Sequence, residues 1–355
     1  MDFDGIKGLT QEINTSLTGF FEKESLYLQA IGSELDPVAD ALGHFLLDSG
    51  KRLRPLFATI GFLGAGGELT PSIFRAVSSL ELVHVCALIH DDVMDASDTR
   101  RGAPAIHKQF ENIHNQENLH GSASQFGVAS AILLGDLALI WAAKALHESG
   151  VAPELILRSL PIYDEMRVEL MAGQYLDVYE QALASESVER SLKVARYKSG
   201  KYSIERPLHF GATFAPGYSP EIIDSYSHYG LPLGEAFQLR DDVIGVFGDP
   251  ERTGKPAGDD LREGKRTVLV ATTLSKASPA QRATFLDLFG NKELDIAHID
   301  TLRQIITETG ALTELESIIS EMTSKAHEAL THGGITPEAV ALLDQMAVAA
   351  TQRSS

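Results

Sequence analysis

An all-α fold is predicted by three observations on the sequence. Apolar residues recur at helical spacing over long segments. Helix-start signals, in which a residue such as Asp, Thr or Ser precedes a proline, recur along the chain. No run of alternating apolar and polar residues bounded by hairpin turns occurs. Taken in order, "DPVADAL" from Asp36 and "TPSIFRA" from Thr70 open helices. "VSSLELVHVCALIHDDV" carries apolar residues at Leu80, Val83 and Ala87 and at Val85, Leu88 and Ile89. That pattern wraps most of the way round a helix and predicts one enclosed by others. "FGVASAILLGDLALIWAAKAL" has Asp136 in its middle and reads as a buried helix. No stretch is expected to reach the roughly 20 apolar residues of a membrane span. Further starts follow at "APELILR" from Ala152, "SPEIIDSYSHYGLPLGEAFQLRDDVIGVF" from Ser219 and "TPEAVAL" from Thr336. About a dozen helices are expected. They should form a single domain over residues 1–355, since no repeat, low-complexity tract or linker divides the chain.

Two polar segments interrupt the helical pattern, from about Ala96 to Ser122 and from Gly248 to Thr267. Each follows a helix bearing aspartates, so both are expected to be active-site loops. The formal net charge of −19 argues against nucleic-acid binding through a broad basic surface. The single cysteine, Cys86, excludes an internal disulfide and a cysteine-based metal cluster. The acidic, polar N-terminus lacks a basic region followed by an apolar one, and a cytoplasmic protein is expected.

The chemistry is concentrated in two acidic motifs. In "DDVMD", Asp91 and Asp95 share one helical face and Asp92 lies about 100° round it. Like charges so placed repel, and acids at a helix C-terminus oppose the macrodipole. A purely structural role explains neither, whereas a divalent cation held between them explains both. Magnesium takes oxygen ligands, commonly one or two carboxylates completed by substrate phosphate and water. The second motif, in "FQLRDDVIGVFGD", places Asp241 and Asp242 near the end of another apolar helix, 150 residues on. Two such helix ends facing a common cavity would neutralise a diphosphate from both sides. Basic residues in "SGKRLRP" (Lys51, Arg52, Arg54), after the first motif (Arg100, Arg101) and in "YKSGK" (Lys198), with Lys255 and Lys265, suit a second, metal-free diphosphate.

The succession "GKRLRP", "LVHVCALIHDDVMDASDTRRG", "GQYLD", "KSG", "FQLRDDVIGVFGD" and "GKPAGDDLREGKRT" resembles the polyprenyl synthetase family of trans-isoprenyl diphosphate synthases. The resemblance implies an isoprenoid synthase fold, a homodimer and magnesium, up to three ions. It also implies head-to-tail (1′-4) condensation of isopentenyl diphosphate with an allylic diphosphate. Carried over by position, it assigns Lys51, Arg54, His84 and Arg101 to isopentenyl diphosphate. Asp91, Asp92, Asp95, Asp241 and Asp242 are assigned to magnesium, and Arg100, Lys198, Lys255 and Lys265 to the allylic diphosphate. Ser199 and Gln238 are placed against the carbon where positive charge develops, and Gln174 and Asp177, from "GQYLD", support that region. Two positions depart from the family pattern. Gly245 stands where a third acid of the second motif is common, and Ser199 where threonine is usual.

Product length is read from the helix bearing Asp91. One turn advances about 5.4 Å, roughly one isoprene unit. Cys86 and Ala87, one turn before the motif, are small, where family members stopping at fifteen carbons tend to carry an aromatic. The tunnel is therefore expected to continue to Val83, as in geranylgeranyl diphosphate synthases of actinobacterial type. Longer and farnesyl products stay open. Among rival functions, an HD-type metal phosphohydrolase explains "HDD" but not the second motif. A terpene cyclase has no need of cations for a second diphosphate. A non-catalytic regulatory subunit should have lost some of these acids and cations.

Overall fold

The computed structural model describes residues 5–48, 50–100, 102–249 and 258–352, with the backbone alone at His332. These residues are overwhelmingly helical, as the periodicity predicts. The helices run α1 (Gly5–Ile31), α2 (Asp36–Leu47), α3 (Leu53–Gly64), α4 (Pro71–Met94), α5 (Ile106–Gln116), α6 (Ala123–His147), α7 (Pro153–Ala182), α8 (Val188–Val194), α9 (Arg206–Ala212) and α10 (Pro220–Phe247). A π-helix occupies Ala195–Glu205, and shorter helices follow to Thr351. The helices with proline starts begin within a residue of the positions read from the sequence, at Asp36, Pro71, Pro153, Pro220 and Pro337. The Thr70 and Ser219 side chains cap their helices by accepting from the Ile73 and Ile222 amides.

The chain divides into two compact units, residues 1–161 with 207–218, and residues 162–206 with 219–355. In the first unit α4 packs against α1, α3 and α6. Val77, Leu80, Val83, Cys86 and Ile89 are fully buried, so the helix is enclosed on most faces. In the second unit the core forms where Leu239, Val243 and Val246 of α10 meet helices Val268–Lys276 and Ile296–Glu308. Burying apolar side chains along one face of α10 contributes of order 2 kcal/mol each and leaves the opposite face for polar residues.

The structure corrects two expectations. The segment from Ala96 to Ser122 is not all loop. A short antiparallel pair, Thr99–Arg100 with Ala103–Pro104, precedes α5. The inner face of α5 is Ile106, His107, Phe110 and His114, and two of these four are histidines, which hides the apolar stripe from a reading by hydrophobicity. Second, α4 and α6 are both long and apolar enough to cross a membrane by length and composition. Within the protein, 72% of the apolar window of α4 is buried and 44% of that of α6. The former is a core helix, and α6 is less enclosed than its sequence predicts, exposing Phe126, Ile132, Leu133 and Ile140. The second polar segment contains the short helix Asp259–Glu263, with residues 250–257 outside the described region.

Candidate active site

In the first unit, α4 is mostly buried; Arg75, His90, Val93 and Met94 keep exposure at scattered positions, and one continuous stripe does so toward the acidic motif. His84, Ala87, Leu88, Asp91 and Asp95 are partly accessible and follow one another at helical spacing, so they share a face. Asp92 lies off this face, with 1% side-chain exposure, and accepts hydrogen bonds from Arg100 through Nε at 2.9 Å and through Nη2. Arg100 Nη2 is also 3.6 Å from Asp91. The guanidinium assigned to a diphosphate thus rests on the acids it follows in sequence. Cys86 and Val83 are fully buried, whereas Ala87 keeps some accessibility. Burial, and then the charge of Asp136, pushes the Cys86 thiol up to about 12, so it packs as a neutral group. Lys51 is exposed and Arg54, in the first turn of α3, is half-buried.

In the second unit, Lys198 and Ser199 lie on the π-helix, a rare conformation that widens the turn and recurs at functional positions. This helix runs against α10, and the contact is backbone to backbone. A Cβ on Gly234 would lie 2.3 Å from the Gly200 carbonyl oxygen, so only glycine permits the approach. One turn beyond Gly234, α10 presents Gln238, then Asp241, then Gly245, all partly accessible. Lys198 Nζ donates to Asp177 Oδ2 at 2.6 Å, joining "KSG" to "GQYLD". Gln174 sits half-buried one turn before Asp177 on α7.

Asp242 points inward. Gln238 Nε2 donates to its Oδ1 at 2.8 Å, and the Val268 amide, in the first turn of the helix Val268–Lys276, donates to its Oδ2 at 3.3 Å. A carboxylate suits the positive end of that helix. Burial chiefly, then the charges of Asp260 and Asp241, holds its carboxyl well above the usual range, against the two hydrogen bonds. The two motifs therefore share a plan. The second aspartate of each pair is buried and locally held, while Asp91, Asp95 and Asp241 keep accessible faces.

The missing third acid has a physical counterpart. A Cβ on Gly245 would lie 1.9 Å from Asp260 Oδ2 and 2.5 Å from its Cγ. The Asp260 carboxylate thus occupies the place a side chain at 245 would take, and Lys265 Nζ lies 3.8 Å from it and 2.8 Å from Glu263. Gly245→Asp is expected to crowd two acids into one space. Thermal or denaturant unfolding should show a loss of about 1–3 kcal/mol, and calorimetry no gain in magnesium affinity. A variant as stable as the parent would show that Asp260 moves aside without cost.

Within the first unit His84, Asp91 and Asp95 share one face of α4, and within the second Lys198 and Ser199 lie on the helix packed against α10, which bears Gln238 and Asp241, with Asp177 of α7 bonded to Lys198. Arg101 and Lys255 lie outside the described residues. Asp260 is the acid the sequence reading missed. Its signal was a further acid pair in "GDDLREGK", masked by the charge density of that segment. Among the described residues no three His, Cys, Asp or Glu side chains converge on one point. The accessible acids nevertheless offer carboxylate oxygens alone, the donor set of a hard cation whose shell is completed by phosphate and water.

Comparison with known proteins identifies the family. The family model described as polyprenyl synthetase matches residues 36–306. A geranylfarnesyl diphosphate synthase of Aeropyrum pernix is 33% identical over 303 residues, covering 83% of this chain and 87% of the relative. A geranylgeranyl diphosphate synthase of Methanosarcina mazei is 29% identical over 335 residues, covering 92% and 95%. The crystal structure of geranylgeranyl pyrophosphate synthase from Corynebacterium glutamicum, complexed with isoprenyl diphosphate and magnesium, superposes with a TM-score of 0.94 at 42% identity, covering 99% of this chain and 100% of that one. With most of its length matched and its motifs in place, the chain belongs to the polyprenyl synthetase family of prenyltransferases.

Proposed function

We propose that the protein condenses isopentenyl diphosphate with an allylic diphosphate, and that the product is the twenty-carbon geranylgeranyl diphosphate. The observation that carries the reading is the Lys198–Ser199 segment, set on a π-helix against α10, the helix that bears Gln238 and Asp241, with Lys198 paired to Asp177. Lys198, Arg100 and Lys265, with Lys255, take the allylic diphosphate. Lys51, Arg54 and His84, with Arg101, take isopentenyl diphosphate. Asp91, Asp95 and Asp241 hold magnesium, with Asp92 and Asp242 as supports behind them. When bound, magnesium neutralises charge on the leaving diphosphate.

The carbon–oxygen bond of the allylic diphosphate breaks, and positive charge develops on carbon. Because the Gln238 amide nitrogen is committed to Asp242, its oxygen is the end left to face that charge, beside the Ser199 hydroxyl. The π electrons of isopentenyl diphosphate form the new carbon–carbon bond. The proton lost from the adjacent carbon passes to the departed diphosphate. Residues 36–306 act as one catalytic domain in this reading, since the family match runs across both units. A homodimer is supported by the apolar residues that α6 leaves exposed, Phe126, Leu133 and Ile140, at intervals of seven residues. A cytoplasmic setting belongs to the same proposal.

Incubation with labelled isopentenyl diphosphate, magnesium and each of dimethylallyl, geranyl and farnesyl diphosphates, with chromatography of the dephosphorylated products, tests the reading. A twenty-carbon alcohol is expected, and loss of diphosphate without chain growth would overturn it. Ala87→Phe tests the ruler in the same assay. Ala87 lies on the accessible stripe one turn before Asp91, so an aromatic ring there is expected to stop the product about one isoprene unit short. Cys86→Phe should also shorten the product and, at a fully buried position, should cost stability as well. Unchanged chain length in Ala87→Phe would remove α4 as the ruler.

A further inference from the structure

We propose that Arg52 is a positioning residue for the isopentenyl diphosphate cradle rather than one of its cations. The inference rests on the assignment of Lys51, Arg54 and His84 to that substrate. Arg52 belongs to the same basic run, yet its side chain turns inward. It is 2% exposed and forms an ion pair with Glu81, 4% exposed, at 2.8 Å. Its Nε donates to Asn14 Oδ1 of α1 at 2.8 Å and its Nη2 to the Leu47 carbonyl at 3.4 Å. One guanidinium thus ties together α1, the end of α2 and α4. Lys51 before it is exposed, and Arg54, two residues after it, is half-buried.

The backbone supplies an independent observation. Arg52 has φ of +49°, in the left-handed region, directly before α3. For a residue with a Cβ that conformation costs about 1–2 kcal/mol and persists where the surroundings over-determine it. Glycine would adopt it readily, but glycine has no fork to reach three acceptors. Gly50, two residues before Arg52, is constrained by the same pair. A Cβ there would lie 2.6 Å from Arg52 Nη1 and 3.2 Å from Glu81 Oε1. Glu81 precedes His84 by three residues on α4, so the two lie about one turn apart on neighbouring faces. The clamp therefore fixes the turn carrying Lys51 and Arg54 in register with the helix carrying His84. Positioning of this kind governs how well a cradle meets a diphosphate, since small displacements of charged groups cost binding steeply.

The test varies the two substrates separately in Arg52→Lys, which removes the fork, and in Glu81→Gln, which keeps an acceptor oxygen and removes the charge that pairs with it. KM for isopentenyl diphosphate is expected to rise about tenfold or more, with KM for the allylic diphosphate within about twofold. If neither variant folds, the double variant Arg52→Met/Glu81→Leu decides. It replaces the buried pair by apolar groups, a change such sites commonly tolerate, and the same split in KM is expected. Unchanged KM values in a folded variant, or an equal rise in both, would overturn the proposal. Lys51→Ala and Arg54→Ala run alongside. If these leave KM for isopentenyl diphosphate unchanged, the assignment of the cradle itself fails, whatever Arg52 does.

Discussion

Asp91→Asn is expected to lower kcat by about 10³-fold or more while leaving the melting temperature nearly unchanged. The asparagine keeps the shape and removes the charge. Asp91 is one of the acids with an accessible face on α4, at 15% side-chain exposure, and in the proposed mechanism it holds magnesium against the leaving diphosphate. Loss of such neutralisation removes several kcal/mol of transition-state stabilisation. In the absence of metal, Asp91 repels Asp95 across one helical turn and attracts Arg100 at 3.6 Å, so the two effects of removing its charge offset one another. Activity should therefore fall without a matching loss of stability, as where a cluster of like charges is kept for function. Single-turnover assays across a magnesium series, with thermal unfolding of the same samples, check both. Turnover within tenfold of the parent would remove Asp91 from the metal site, and a large fall in melting temperature would make it a structural residue.

The second large effect is expected at Gly234, which touches no substrate. In Gly234→Ala the added methyl meets the Gly200 carbonyl oxygen at 2.3 Å and its carbon at 2.7 Å. Both are backbone atoms, so relief requires one helix to move. Overpacking of this kind costs about 1–3 kcal/mol. The larger consequence is for Lys198 and Ser199, which ride on the π-helix two residues and one residue before Gly200. A displacement near 1 Å at a reacting centre costs on the order of 10²-fold in rate. Steady-state kinetics and unfolding of Gly234→Ala should therefore show a modest loss of stability and a hundredfold fall in kcat, to about one part in 10². A variant with parental kcat would mean that the π-helix tolerates displacement.

Much of the architecture is legible in the sequence for a local reason. The pairs Thr70–Pro71 and Ser219–Pro220 start helices by chemistry that acts within four residues, so no tertiary knowledge is needed to see them. The accessible stripe from His84 to Asp95 follows from helical spacing alone. What stays hidden depends on partners distant in the chain. Nothing local to Lys198 announces a π-helix, whose close approach to α10 is permitted by Gly234, 36 residues later. That Asp92 and Asp242 turn inward is decided by Arg100 in one case and by the Val268 amide in the other. Arg52 reads as one more surface cation beside Lys51, and Glu81, Asn14 and the Leu47 carbonyl make it an interior group. Helix α5 escapes notice because histidines make up half of its inner face.

The close approach of Gly245 and Asp260 couples two positions fifteen residues apart in the chain. The Asp260 carboxylate lies where a side chain at 245 would go. The cost expected for Gly245→Asp should therefore shrink where Asp260 is replaced by a small residue, so effects at the two positions are expected not to add. What either residue contributes is then read only with the identity of the other in hand.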